Sequence, residues 1–188
     1  MRMDEDERSA KFLDLLRPIQ RELEVYGRRL VWVYSDAEDA VQNAACRAFQ
    51  AFDRYREGTN FRAWMFKILT NEIFALNRKR GRIARFEVES QAEEMEAVAQ
   101  PAAGKSDADL LASWEVLADA LDEDLVAALK ELNEVERAVL LLRAIPDLRY
   151  REISESLEIP LGSVMGNLSR ARQKMRDAIV CSRRKESL

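Results

Sequence analysis

The sequence predicts an all-α protein built as two small helical domains joined by an acidic linker. Three observations point there. Apolar residues recur at spacings of three and four over most of the chain, the period of a helix with one buried face. Glycine and proline are scarce, at six and four in 188 residues, and no series of short β-branched strands is present. Between residues 83 and 106 the period fails, in a stretch that is acidic, rich in alanine and interrupted by Pro101 and Gly104.

The first domain is expected over residues 1–82, with three helices. Phe12, Leu16, Ile19, Leu23, Tyr26 and Leu30 share one face of a segment from about Ser9 to Val33. Pro18 lies within it, lacks an N–H donor and is expected to kink the run or start its second half. The next helix begins at SDAEDAVQ, where Ser35 and Glu38 have the spacing of a capping box. Its buried face reads as Val41, Ala45, Ala48, Phe49 and Phe52, and Gly58, tolerant of positive φ, is expected to end it. A third helix runs from about Asn60 to Arg80 with Phe61, Trp64, Met65, Ile68, Leu69, Ile73 and Leu76 inward, and finishes in the basic tail NRKRGR. Three packed helices of this length make a domain.

The linker is expected over residues 83–106. A flexible chain of that length has a mean span of roughly 25–30 Å, enough to let two domains act at different places. The second domain is expected over residues 107–188. Its helical period returns through Leu110, Trp114, Leu117, Leu121, Leu125 and Leu132, and Asn133 with Glu136 forms a second capping-box start.

The segment YREISESLEIPLGSVMGNLSRARQKM then reads as two helices around a tight turn. Ile153 and Leu157 give the first its apolar side, Glu158-Ile159-Pro160 is the turn, and Val164, Leu168, Ala171 and Met175 are the buried positions of the second. This is a helix-turn-helix pattern, in which the front of the second helix enters the major groove of DNA. Ser163 and Asn167 stand where base edges are read, and Asn suits adenine. Ser169, Arg170, Arg172 and Lys174 share that outer side, and the cations can hold phosphates.

Net charge is −4, and its distribution matters more than its sum. Residues 47–86 carry ten Lys/Arg against three Asp/Glu, residues 87–124 one against twelve, and residues 160–188 seven against two, giving +7, −11 and +5. Two basic segments flanking an acidic one suit two separate contacts with a polyanion. No histidine is present, which removes histidine-based triads and most zinc sites. Cys46 and Cys181 have no CxxC spacing and read as two reduced thiols. With no P-loop, no GxGxxG and no nucleophile–base pair, no enzyme, catalytic residue, cofactor or metal is expected. The acidic start MRMDEDERSA is not a signal peptide and no run is long enough to span a bilayer, so a cytoplasmic protein without membrane insertion is expected.

Two long stretches carry a family resemblance. LNEVERAVLLLRAIPDLRYREISESLEIPLGSVMGNLSRARQKMRDAI resembles the C-terminal promoter-binding domain of extracytoplasmic-function sigma factors, the small members of the sigma-70 family. DAEDAVQNAACRAFQAFDRYREGTNFRAWMFKILTNEIFALNRKRGR resembles their N-terminal domain, and the two occur in the family's order. The resemblance implies a subunit that recruits core bacterial RNA polymerase to promoter DNA and captures melted −10 bases, in a sigma region 2-like bundle followed by a region 4-like helix-turn-helix. It implies a polymerase contact through Asp36, Glu38, Asp39, Val41 and Gln42. It implies −10 DNA contacts through Tyr55, Asn60, Arg62, Lys67, Asn71, Arg78, Lys79, Arg80 and Arg82, with Phe61 and Trp64 kept in the core. It implies −35 contacts through Arg151, Ser163, Asn167, Ser169, Arg170, Arg172 and Lys174. Many relatives are held by an anti-sigma factor, a further implied partner that no residue here identifies.

The chain departs from the family's habit in several places. Asn43 follows the Gln where Glu is common, Asn167 replaces a frequent basic residue, Arg149 stands where Ser or Thr often caps, and Gly166 weakens its helix by roughly 1 kcal/mol against Ala. These changes bear on the strength and preference of −35 binding. The competing reading is a stand-alone helix-turn-helix regulator that binds duplex DNA as a dimer. The aromatic loop and basic tail of the first domain speak against it.

Overall fold

The computed structural model describes the backbone of residues 5–89 and 123–186, and side chains within residues 5–82 and 125–180. Every regular element among the described residues is helical. The acidic linker beyond Glu89 and the helical period expected from Leu110 to Leu121 lie outside them.

Pro18 divides the first segment as its chemistry requires. Helix α1 (Glu5–Leu16) passes into a 3-10 turn, Arg17–Ile19, with the proline where a missing N–H is harmless, and α2 (Gln20–Leu30) follows. Leu23, Tyr26 and Leu30 of α2 are fully buried, and burying each such side chain contributes about 1.5–3 kcal/mol.

Helix α3 (Ala37–Gln50) starts later than expected; of the expected face Ala48 is buried, as is Phe52 just beyond the helix, while the rest of the stripe shifts. Ser35 lies in a 3-10 turn, Tyr34–Asp36, and no side chain caps the helix, so the Ser35–Glu38 box does not form. Asp36, which ends that turn, is drawn instead to Arg80, whose Nε and Nη2 donate to its carboxylate at 2.9 and 2.6 Å. The buried positions are Ala37, Ala40, Ala44 and Ala48, while Val41, Ala45 and Phe49 flank them. Small residues bury deepest because α2 comes very close at Gly27. A Cβ on Gly27 would stand 2.9 Å from Val41 Cγ2.

The helix ends at Gln50, short of Gly58. A 3-10 turn at Phe52–Arg54 follows, and Gly58, at φ +83°, closes the loop before α4 instead of ending α3. Phe12 meets Phe49, Phe52 and Phe61 edge-on, with centroids 5.4, 5.2 and 5.9 Å apart. Helix α4 (Phe61–Glu89) crosses the half as its longest element and runs past the expected end at Arg80. Met65, Phe66, Leu69 and Ile73 face its core, with Thr70 bonded to the buried Tyr26 hydroxyl at 2.6 Å. Burial pushes the Tyr26 phenol far above its ordinary range.

The second half contains α5 (Glu123–Lys130), α6 (Glu134–Ala144), α7 (Tyr150–Leu157) and α8 (Leu161–Glu186). The Asn133–Glu136 capping box forms as the spacing predicts. At α7 only half a box exists: the Glu152 carboxylate accepts the Arg149 N–H at 2.7 Å, and the arginine side chain has no acceptor to return the bond. Glu158 turns the chain at φ 56°, and Val164, Leu168, Ala171 and Met175 are all buried. The expected helix-turn-helix is therefore present.

The two halves pack together. Their buried apolar residues belong to one continuous cluster, and α4 lies against α7 and α6, with α2 also against α6. Polar contacts seal the seam. Asn60 Nδ2 donates to Glu152 at 2.7 Å, Lys67 Nζ reaches Glu158 at 3.0 Å and the Glu155 carbonyl at 3.2 Å, and buried Asn77 donates to Glu134 at 2.9 Å.

Candidate nucleic-acid interface

Helix α4 places Lys67, Asn71, Arg78 and Arg82 within about 60° of one another around its axis, because their separations of 4, 11 and 15 residues are close to whole turns. The result is a single polar and basic stripe along one helix. Asn71, Arg78 and Arg82 are exposed and have no polar partner among the described residues. Lys79 is also exposed, off the stripe. A row of this kind can track a nucleic-acid backbone by phosphate contacts.

The other residues of the expected −10 set are already engaged. Arg62 Nη1 donates to both Glu22 oxygens at 2.8 and 2.7 Å. Burial holds the Glu22 carboxyl above its ordinary value, against the lowering pull of Arg62. Arg80 holds Asp36, and that bond pushes its own pKa up. Asn60 does double duty: its Oδ1 caps α4 by accepting from Ala63 N at 3.2 Å while its Nδ2 reaches Glu152. Tyr55 is half-buried, stacked on Phe52 at 5.8 Å and beside Phe61 and Trp64 at 5.4 and 5.3 Å, with its hydroxyl donating to the Thr59 carbonyl. The fold thus assembles Lys67, Asn71, Arg78 and Arg82, and puts Tyr55 and Asn60 at the loop just before the stripe.

The five residues of the expected polymerase contact cluster at the start of α3. Glu38, Val41 and Gln42 line a groove of about 570 Å³ between α2 and α3, with Leu16, Gln20 and Glu24 opposite. Asp39 is exposed on the next position of the helix, and Asp36 is mostly covered by Arg80.

The first half of α8 holds the expected −35 set apart from Arg151, which lies on α7. Ser163 and Asn167 are half-buried one turn apart, and Asn167 Nδ2 donates to the Ser163 carbonyl at 2.8 Å. Arg170 and Lys174 both turn to Glu136 of α6, at 3.4 and 2.8 Å. Ser169 is exposed, Arg151 is exposed and pairs with Glu155 at 3.3 Å, and Arg172 is half-buried with its Nε enclosed. The edge formed by Ser163 and Asn167, where base reading is expected, is therefore largely uncharged, with cations behind it.

The order of the two surfaces along the chain decides the family. Residues 15–83 match the model for sigma-70 region 2, and residues 122–175 match the model for sigma-70, region 4. The chain belongs to the extracytoplasmic-function group of the sigma-70 family. It is 34% identical over 142 residues to the ECF RNA polymerase sigma factor SigE of Mycolicibacterium smegmatis, a match covering 76% of this chain and 51% of that one. It is 26% identical to SigW of Bacillus subtilis over 159 residues, 79% of this chain and 78% of that one. The chain spans about half the length of the mycobacterial relatives it matches. The sigma factor RpoE, solved with the anti-sigma factor NepR from Bartonella quintana, superposes with a TM-score of 0.69 at 24% identity, covering 90% of this chain and 96% of that one. No described helix is long and apolar enough to cross a membrane.

Two features of these sigma regions escape the sequence reading. In region 2, Trp32 is 54% exposed, yet its ring lies against α4 where a Cβ on Gly81 would be 3.2 Å away. Its backbone N–H donates to Asn77 Oδ1 at 3.2 Å, so Asn77, at the head of the basic tail, is a buried strut. In region 4, Glu136 is 2% exposed and serves more than its cap. A pair of cations four residues apart on α8 is the sequence signal for such a carboxylate, because they share one face.

Proposed function

We propose that this chain is a promoter-specificity subunit of bacterial RNA polymerase, a binding protein of the cytoplasm and not an enzyme. The observation that carries this reading is the pairing of the α4 stripe with a helix-turn-helix whose groove-reading edge is uncharged. The stripe suits a single strand, whose phosphates and unstacked bases need cations and edge donors along a line. The helix-turn-helix suits a duplex. A duplex regulator acting alone has no use for the stripe. Linking the two contacts lets each be weak, since the second event occurs at high effective concentration.

In this reading the start of α3 docks on core polymerase. Glu38 and Asp39 supply negative charge at a helix start, where the helix dipole also favours it, and suit a basic partner surface. Asn60 and Lys67 are bonded to α7 in the packed arrangement, so the halves separate when polymerase and promoter bind. An anti-sigma protein is the other partner class, by likeness to RpoE with NepR.

The test is co-elution of the full chain with core bacterial RNA polymerase, alongside Asp39→Arg. Complex formation by the natural chain, lost in the variant while its helical circular dichroism is kept, is the expected result. No complex with the natural chain refutes the reading.

A further inference from the structure

We propose that Glu136 is a positioning residue for base reading: its buried carboxylate fixes Arg170, and through Arg170 the side-chain amide of Asn167. The inference rests on the DNA-reading role proposed for α8 and says which base that helix selects.

Three contacts in series make the relay, an ion pair followed by two hydrogen bonds. Glu136, on α6, offers Oε1 to Arg170 Nε at 3.4 Å and Oε2 to Lys174 Nζ at 2.8 Å. Its Oε2 also accepts the Asn133 N–H at 3.2 Å, which ties the carboxylate to the start of α6. Arg170 Nη2 then donates to Asn167 Oδ1 at 2.9 Å, and Asn167 Nδ2 donates to the Ser163 carbonyl at 2.8 Å.

The chemistry of both neighbours fixes the amide orientation. Arginine only donates, so the atom facing it has to be the amide oxygen. A carbonyl only accepts, so the atom facing Ser163 has to be the nitrogen. The two constraints agree. One lone pair on Oδ1 and one hydrogen on Nδ2 remain for a ligand. An acceptor beside a donor is the complement of the major-groove edge of adenine, whose N6–H donates and whose N7 accepts. Because the amide cannot flip without breaking two bonds, the pair is presented with one polarity. The ligand is duplex DNA with adenine on one strand at the position Asn167 faces.

Glu136 is the member that holds this arrangement. It is 2% exposed, whereas the Arg170 and Lys174 side chains are 45% and 42% exposed. Without a buried anion to hold them, those cations turn to solvent, and the amide is left with the Ser163 bond alone.

The experiment enriches promoters from a duplex library randomised across the upstream element, using the full chain in complex with core polymerase. The natural chain is expected to select adenine at one base pair, and Asn167→Ala to lose that choice. Glu136→Gln retains an oxygen for the Asn133 N–H, as a capping box allows, but not the charge. It is expected to cut the adenine preference at that same base pair about tenfold, within the range a bidentate contact supplies, with the rest of the motif kept. Arg170→Lys is the second variant, since an ammonium does not span both acceptors as a guanidinium fork does, and the same loss is expected. A purely structural Glu136 would lower the melting temperature and leave the preference intact, which overturns the inference.

A readout without DNA separates the relay from the reading it rests on. In the free full chain, the Asn167 side-chain amide signals in a nitrogen-15 spectrum are expected to move and broaden in Glu136→Gln. Unmoved signals overturn the relay. Moved signals with no enriched base pair overturn the DNA-reading role instead, and the adenine inference with it.

Discussion

The two basic surfaces of this protein are built in opposite ways. On α4 the exposed cations Arg78 and Arg82 stand in a row with no polar partner among the described residues. On α8 Arg170 and Lys174 are tied to a buried carboxylate from another helix. Equal charge in the sequence therefore hides unequal availability. An unpaired cation can release counterions on meeting a phosphate, and that release supplies salt-dependent affinity. A cation already paired gains less from the same phosphate, because it exchanges one anion for another. The first surface suits tight tracking of a backbone, and the second suits fixed geometry.

The largest expected effect breaks the first surface. Replacing Arg78 and Arg82 together with Ala removes the two strand contacts proposed for them. The salt slope for a single-stranded −10 oligonucleotide, measured with the polymerase complex, should fall by about 1.4 at roughly 0.7 per contact. Arg170→Ala on a −35 duplex should change the slope by less than the roughly 0.9 of an unpaired cation on B-DNA. An Arg170→Ala change at the full value of about 0.9 would erase the distinction.

Two glycines sharpen the comparison at the level of packing. In region 2, Gly27 lets α2 approach α3, and a Cβ there meets Val41 Cγ2 at 2.9 Å. Valine is stiff at χ1, so it does not swing aside. Gly27→Ala should cost about 1 kcal/mol by denaturant unfolding, after the helix propensity gained by losing a glycine is set against overpacking. In region 4, a Cβ on Gly166 meets only the far end of Arg170, at 3.5 Å. Gly166→Ala should stabilise by about 0.5–1 kcal/mol. The same substitution thus has opposite signs in the two halves.

What the sequence made legible follows the range of the interaction. The buried face of α8 and the Asn133–Glu136 box depend on residues within a turn or two, and both are present. The Ser35–Glu38 box has equally good spacing but fails, because Asp36 meets Arg80 from 44 residues away. Part of the expected α3 stripe shifts for a related reason. Apolar bulk favours Val41 and Phe49, yet the close approach at Gly27 selects alanines for the deepest positions. The candidate site divides the same way. The α4 stripe follows from helical period alone. The engagement of Asn60 and Lys67 by α7, and of Arg62 by Glu22, needs the folded chain. Buried Asn77 bonds Trp32 and Glu134 on other elements, and no local pattern names those partners, while the capping box at Glu136 gives Asn133 and not the cations of α8.

The smallest effect tests whether Arg62, also of the expected −10 set, is held by attraction or by confinement. Its two bonds to Glu22 suggest an ion pair that should lower the carboxyl's pKa, yet burial raises it more than Arg62 lowers it. The sign of the stability effect follows from linkage. A folded-state pKa above the unfolded one favours the protonated native form, so the contribution is full below the unfolded pKa, about 4.3 for Glu. It is lost as pH rises through the raised folded value. Glu22→Gln keeps the uncharged form at every pH. Its stability relative to the natural chain should therefore rise between pH 4 and neutral, as read from paired urea unfolding curves. The side chains are 27% and 38% exposed, so the rise should be small. A fall over the same interval would mean that the pair attracts more strongly than burial repels. Arg62 would then belong with Arg170 among the cations committed to a carboxylate, and not with Arg78 and Arg82.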